Sequence, residues 1–292
     1  MTLKVTVDVF SGRPNPVLVL EGREEQEILA RLRPGRRQAR LAAPQSFLGY
    51  RGIQFDLTGG RRRALPSSFR LWHGNLLGEG LSAAASDPGF EAWFMSADGP
   101  LRRLALGAAV HALLEAERQR PRPKGGDGDK DDRHERRRRH ENERCECAPL
   151  YEPAWWNGNP RQWSNNCYNY STNYRTDTFA QPGLAAGAEY ASLSCPDVLA
   201  GAIADDLISA PKANNRCPKE GHLVALVVAP GLDFHWYRKG RTGFWSHKPG
   251  PGQATNRDNS GHLISDPRTA DRGYYVDFCT FMIVMHGHIK IT

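Results

Sequence analysis

The amino-terminal residues alternate: Leu3, Val5, Val7 and Val9 are apolar, and Thr2, Lys4, Thr6 and Asp8 between them are polar. A period of two puts the apolar set on one side of an extended chain, so residues 2–10 are expected to form a half-buried strand. Ser11-Gly12-Arg13-Pro14-Asn15-Pro16 is dense turn chemistry, and Val17-Leu18-Val19-Leu20 reads as the returning strand. The pattern then changes. Glu24 to Leu32 has helical spacing and stops at Pro34-Gly35, and further strands are expected at 50–57 and 68–73. Between Leu101 and Glu117 the apolar positions Leu101, Leu104, Ala108 and Leu113, with Val110 and Leu114 beside them, again fall at helical spacing. Residues 1–118 are thus expected to form a small α+β domain; it holds His73 and His111 but no assembled catalytic group.

Periodicity disappears at 119–144, where Arg-Pro-Arg-Pro gives way to Gly/Asp and then to Arg133-His-Glu-Arg136-Arg-Arg-Arg139-His. Nothing there can bury an apolar face, so a flexible charged linker is expected. Arg136 to Arg139 could hold an anionic polymer, although a solvated linker is the simpler reading. A second domain, 145–292, follows. Its opening is irregular and carries Trp155 and Trp156. A helix is expected from about Cys167, with poor intrinsic propensity because it is rich in Asn, Tyr, Ser and Thr. Val198 to Ile208 is a better helix, and strands are expected at 223–228, 233–238, 244–248, 275–285 and 287–291. His286 and His288 would face one side of the last of these. The fold class is therefore α+β, with an antiparallel sheet in the second domain.

Composition changes this picture little. A chain of 292 residues is comfortable for two domains, and 39% hydrophobic residues allow a sizeable core, while 29 Gly and 20 Pro predict many loops. Net charge is +7, much of it in the arginine run. No window approaches the 18 apolar residues of a membrane helix, so no membrane partner is expected. The amino terminus lacks the pattern of a signal peptide, which makes the cytoplasm the default address and export by another route the alternative. Six cysteines (145, 147, 167, 195, 217, 279) do not make a disulfide scaffold in a chain of this length, and Cys195 and Cys217 are expected to be buried free thiols. Cys145-Glu146-Cys147 has no second Cys/His pair at zinc spacing. Neither metal nor cofactor is called for.

The chemistry concentrates around Trp163-Ser-Asn-Asn166-Cys167-Tyr-Asn-Tyr170 and two downstream histidines, His235 and His247. A thiol attacks as thiolate, which a helix N-terminus and a neighbouring imidazole both favour. Asn165 and Asn166 are good helix caps, and the Cys167 amide could help to form an oxyanion hole, with Asn166 and Trp155 as its candidate companions. His235 would take the proton and His247 would orient the imidazole. Trp163, Trp236 and Ser246 are candidates to line a substrate cleft. Gly240-Arg-Thr-Gly243 joins the two histidine-bearing strands, and register decides which residues meet. A four-residue loop sets His235 opposite Lys248, with His247 on the other face. A three-residue loop or a bulge makes the two histidines direct neighbours.

The order Asn166-Cys167-Tyr-Asn, Gly221-His-Leu-Val224, His235-Trp-Tyr237, Trp245-Ser-His-Lys248 resembles the NlpC/P60 branch of the papain-like cysteine peptidases over residues 150–250. That family has Asp-Cys-Ser-Gly, Gly-Asp-Leu-Val, His-Val-Gly and a further strand bearing His at these places. The resemblance implies a papain-like fold, Cys167 as nucleophile, His235 as base, His247 as orienting group and a peptide or protein substrate. Tyr168-Asn169 and His222 depart from the family pattern, so wall peptide is not implied as the substrate. The leading expectation is a thiol hydrolase or acyl transferase acting on an amide or isopeptide bond. The alternatives are a binding module that keeps the fold without catalysis, or an effector of the transglutaminase or deamidase type.

Overall fold

A computed structural model describes residues 2–38, 46–59, 65–96, 98–104, 106–120 and 144–292. Most of the expected linker, with Arg136 to Arg139, lies outside them. The chain is mixed α/β with antiparallel sheets and divides into two units. The first comprises Met1–Val9, Asn15–Gln45 and Gly49–Pro121; the second comprises Phe10–Pro14, Ser46–Leu48 and Arg122–Thr292.

In the first unit the alternating residues form β1 (Thr2–Asp8), which pairs with β2 (Val17–Glu21) and with β4 (Gly52–Thr58). Leu3, Val5 and Val7 are buried, as their spacing requires. α1 (Gly22–Arg31) buries Ile28 and Leu29. The sheet extends through β5 (Ser68–Trp72), β6 (Asn75–Gly78) and β7 (Leu81–Ala85) to β3 (Pro34–Arg37), giving the order β2-β1-β4-β5-β6-β7-β3. Instead of one helix over 101–117, a short 3₁₀ turn (Pro100–Leu104) precedes α3 (Ala108–Gln119), with α2 (Phe90–Met95) ahead of both. Asp8 is fully buried. Desolvation raises its pKa, but Arg51 at 2.6 Å and Arg70 at 2.9 Å outweigh that and hold the carboxyl below its usual range.

The second unit begins with two one-turn helices, α4 (Pro153–Trp156) and α5 (Arg161–Ser164), then α6 (Cys167–Thr172) and α7 (Cys195–Ala204). Its strands are β8 (Ile208–Ser209), β9 (His222–Ala229), β10 (Asp233–Lys239), β11 (Trp245–His247) and β12 (Asp277–Val284), in the order β11-β10-β9-β12-β8. Side chains from alternate positions form two cores. Val224, Leu226 and Val228 join Phe234, Trp236, Met282, Tyr168 and Cys167 in one. Leu223, Ala225 and Val227 join Tyr237, Trp245, Tyr275 and Phe281 in the other. All eight residues of β9 are buried, and the seven after His222 form the continuous apolar run expected of a strand covered on both faces.

Two expectations change here. Cys195 and Cys217 are not free: disulfides join Cys145 to Cys217 and Cys195 to Cys279, their Cα atoms 5.3 and 5.4 Å apart. Partners 72 and 84 residues away cannot be chosen from sequence spacing. Residues 287–291 form no strand; His286 and His288 sit in a turn closed by the His288 amide on the Met285 carbonyl, with Gly287 at φ 78°.

Candidate functional site

Cys167 is the first residue of α6, whose cap is a reciprocal pair. Asn166 accepts hydrogen bonds from the amides of Tyr168 and Asn169 at 3.0 and 3.1 Å, while the Asn169 side chain accepts from the Asn166 amide at 3.1 Å. The helix otherwise depends on packing, because all six of its residues are buried and its sequence favours helix weakly. Trp155, a candidate companion of the oxyanion hole, takes the exposed side of α4, where Arg175 lies over its ring at 4.7 Å. Tyr170 extends from the far end of α6 to donate to Ser246 Oγ at 2.7 Å.

The sheet brings the two histidines together. Tyr237 pairs with His247 and Lys239 with Trp245, a register displaced by two residues from direct His235–His247 pairing. An even displacement keeps both rings on one face as diagonal neighbours, within reach of each other. Neither expected register is the observed one, because the turn from Lys239 to Trp245 takes five residues and closes with the Gly240 amide on the Phe244 carbonyl. His235 Nε2 and His247 Nδ1 are 2.9 Å apart, and His247 Nε2 is 3.0 Å from the carbonyl of Arg257. A carbonyl only accepts, so His247 carries its proton on Nε2 and offers the lone pair of Nδ1 to the Nε2–H of His235. In the neutral pair the lone pair of His235 is then on Nδ1. This is the tautomer of a general base oriented by its neighbour.

The thiol sits elsewhere in the layering. Cys167 packs in the core that holds Phe234 and Trp236, the residues on either side of His235. His235 instead contacts the rings of Tyr237, His247 and Tyr275, at 4.8, 4.9 and 5.6 Å. Tyr237 and Tyr275 belong to the other core. Cys167, His235 and His247 are each 0% exposed. Burial pushes the Cys167 thiol well above its usual range, and the carboxylate of Asp233 pushes it further. The amides of Trp236 and Cys167 and the ammonium of Lys248 act in the opposite direction without prevailing. The expectation of a depressed thiol pKa is therefore reversed, because desolvation outweighs the helix terminus.

The cleft candidates have mostly structural partners. Trp236 is fully buried with its ring 5.4 Å from that of Tyr168, so it fills core rather than lining a cleft; its place on an inward-facing strand position decides this. Ser246 is buried against Tyr170, while Trp163 is half-buried. Lys248, which one of the expected registers set opposite His235, and two residues not singled out from sequence complete the surroundings. Lys248 Nζ donates to the carbonyls of Gln162, Asn165 and Gly250 at 2.5–2.6 Å, which anchors the segment preceding Cys167. Asp233 accepts the hydroxyl of Tyr275 at 2.5 Å and the amides of Ser11, Gly12 and Arg13. Gln181 donates to the carbonyl of Gly12 at 3.0 Å. Among the described residues no cluster of three or more His, Cys, Asp or Glu could hold a metal.

Comparison with known proteins supplies the remaining observation. The chain is 48% identical over 134 residues to insoluble matrix shell protein 1 of Ruditapes philippinarum, covering 45% of this chain and 87% of that one. The chain belongs to the family of that shell protein. No family model matches the chain, and no solved structure does. The identity lies well above the level at which two sequences share a fold, so the relative has the architecture of whatever part of this chain it matches.

Proposed function

We propose that this protein is a structural constituent of an extracellular matrix, and that its second unit is an interaction module binding protein or peptide. Burial of Cys167 carries this reading. A thiol with no exposed surface, raised in pKa and packed among Tyr168, Phe234 and Trp236 has the properties of core rather than of a nucleophile. Two disulfides support an oxidising compartment, and so favour export over the cytoplasm. The name of the related shell protein places that protein in an insoluble matrix, and the proposal extends this role to the present chain.

The histidine relay favours a second reading. A base with its proton held on Nε2 by His247 and Arg257 is what a papain-like thiol hydrolase or acyl transferase requires, and Cys167 stands at a capped helix start. In that reading Cys167 would attack, His235 would carry the proton and His247 would hold the imidazole. A p-nitrophenyl ester separates the two. The matrix reading expects no burst of nitrophenol and equal rates for wild type and Cys167→Ala. A stoichiometric burst that Cys167→Ala abolishes would replace it with the hydrolase.

A further inference from the structure

Residues Phe10–Pro14 belong to the second unit and are held there through their main chain. The carboxylate of Asp233 takes three consecutive amides: Ser11 at 2.6 Å, Gly12 at 3.2 Å and Arg13 at 3.0 Å. The carbonyl of Gly12 receives two side-chain amides, Asn166 Nδ2 at 2.7 Å and Gln181 Nε2 at 3.0 Å. Both donors are pre-positioned. Asn166 is fixed by capping α6, and the Gln181 oxygen accepts from Tyr190 at 2.9 Å. Arg13 Nη1 donates to the carbonyl of Leu232 at 3.1 Å. Gly12 has no room for a side chain: a Cβ there would come within 2.4–2.5 Å of the Phe234 ring and carbonyl.

These contacts read a peptide. Three amides on a carboxylate and a carbonyl between two amide donors recognise backbone, the Phe234 wall selects glycine, and the Leu232 carbonyl selects a base after it. Cys167 lies beside this cradle, because Asn166 precedes it and Asp233 acts on its thiol. We propose that Asp233, Asn166, Gln181, Phe234 and Leu232 form a binding site for a bent Ser-Gly-Arg segment, the conformation in which three successive amides reach one carboxylate. The chain's own residues 11–13 fill it here, and the same segment of a second copy can take their place. This rests on the interaction-module reading and names its ligand. Because the internal segment is tethered, its effective concentration keeps the wild-type site closed to dilute competitors.

Gly12→Val, with disulfides and melting checked, tests the site by expelling the internal segment. A fluorescent Phe-Ser-Gly-Arg-Pro-Asn peptide should then bind at least about tenfold more tightly than to wild type. Binding should vanish when Asp233→Asn is added or when the peptide's glycine is replaced by alanine. A folded Gly12→Val chain that binds neither peptide overturns the proposal. Should that variant not fold, hydrogen exchange on Asp233→Asn alone decides. Selective loss of protection at Ser11, Gly12 and Arg13 is expected; unchanged or uniformly lost protection overturns the site. A p-nitrophenyl ester burst in Gly12→Val that depends on Cys167 would instead overturn the matrix reading, with these residues then acting as a plug.

Discussion

At the scale of single residues, the second unit is dominated by polar groups taken out of water and given specific partners. Lys248 has three carbonyls, Asp233 three amides and a hydroxyl, and His222 the Ser171 carbonyl at 2.7 Å. His222 shows what this costs. Burial lowers its pKa to about 3, against 6.5 for an exposed imidazole, although the Ser171 bond raises it. The folded-state value lies below the unfolded one, so the contribution is neutral above pH 6.5 and unfavourable as pH falls towards 3. Within that window the unfolded chain takes up a proton that the folded one refuses. His222→Gln should therefore flatten the acid limb of stability measured by denaturant titration, by up to about 1.4 kcal/mol per pH unit. An unchanged slope between pH 6 and 4 would mean that the folded state protonates His222 readily.

At the scale of elements, α6 is held by its cap and its surroundings rather than by its composition. Asn166→Ala removes the cap and one of the two side-chain donors to each of the carbonyls of Gly12 and Ala180, leaving Gln181 alone to serve both, so a loss of about 1–3 kcal/mol is expected in chemical denaturation. A loss below about 0.5 kcal/mol would show that the cap does not organise the helix. The start of α6 was legible because Asn-Asn before Cys167 is cap chemistry, and β1 because its alternation extends over a full strand. Others were hidden. β6 and β7 are short, and the alanines of β7 carry no period. The apolar positions at 101–117 keep helical spacing across a break that Gly107 caps. The face shared by His235 and His247 was foreseen as one of two outcomes, but the five-residue turn that sets it was not. The surroundings of Cys167 were illegible for a further reason. Asp233, Gln181 and Gly12 are far apart in sequence, and each alone reads as an ordinary loop or strand-end residue.

At the scale of the molecule, two disulfides tie distant stretches of the second unit together: the start of α7 to β12, and Cys145 to Cys217. Closing loops of 72 and 84 residues removes chain entropy worth about 4 kcal/mol each from the unfolded state. Reduction should accordingly lower the melting temperature of the second unit by well over about 10 °C, seen by calorimetry with and without reductant. No change would show that the pairs do not form in the folded chain. The cross-links leave Cys147 and Cys167 as the free thiols, one exposed and one buried. The contrast between these two permits the most direct test of the central claim that Cys167 is core. Iodoacetamide should be applied to native protein across pH 6–9, with each cysteine followed by mass spectrometry. The matrix reading predicts that Cys147 is modified quickly and that Cys167 reacts only as fast as the fold opens, at a rate insensitive to His235→Ala. Fast modification of Cys167 at pH 6–7 that His235→Ala abolishes would contradict it and establish a thiolate–imidazole pair.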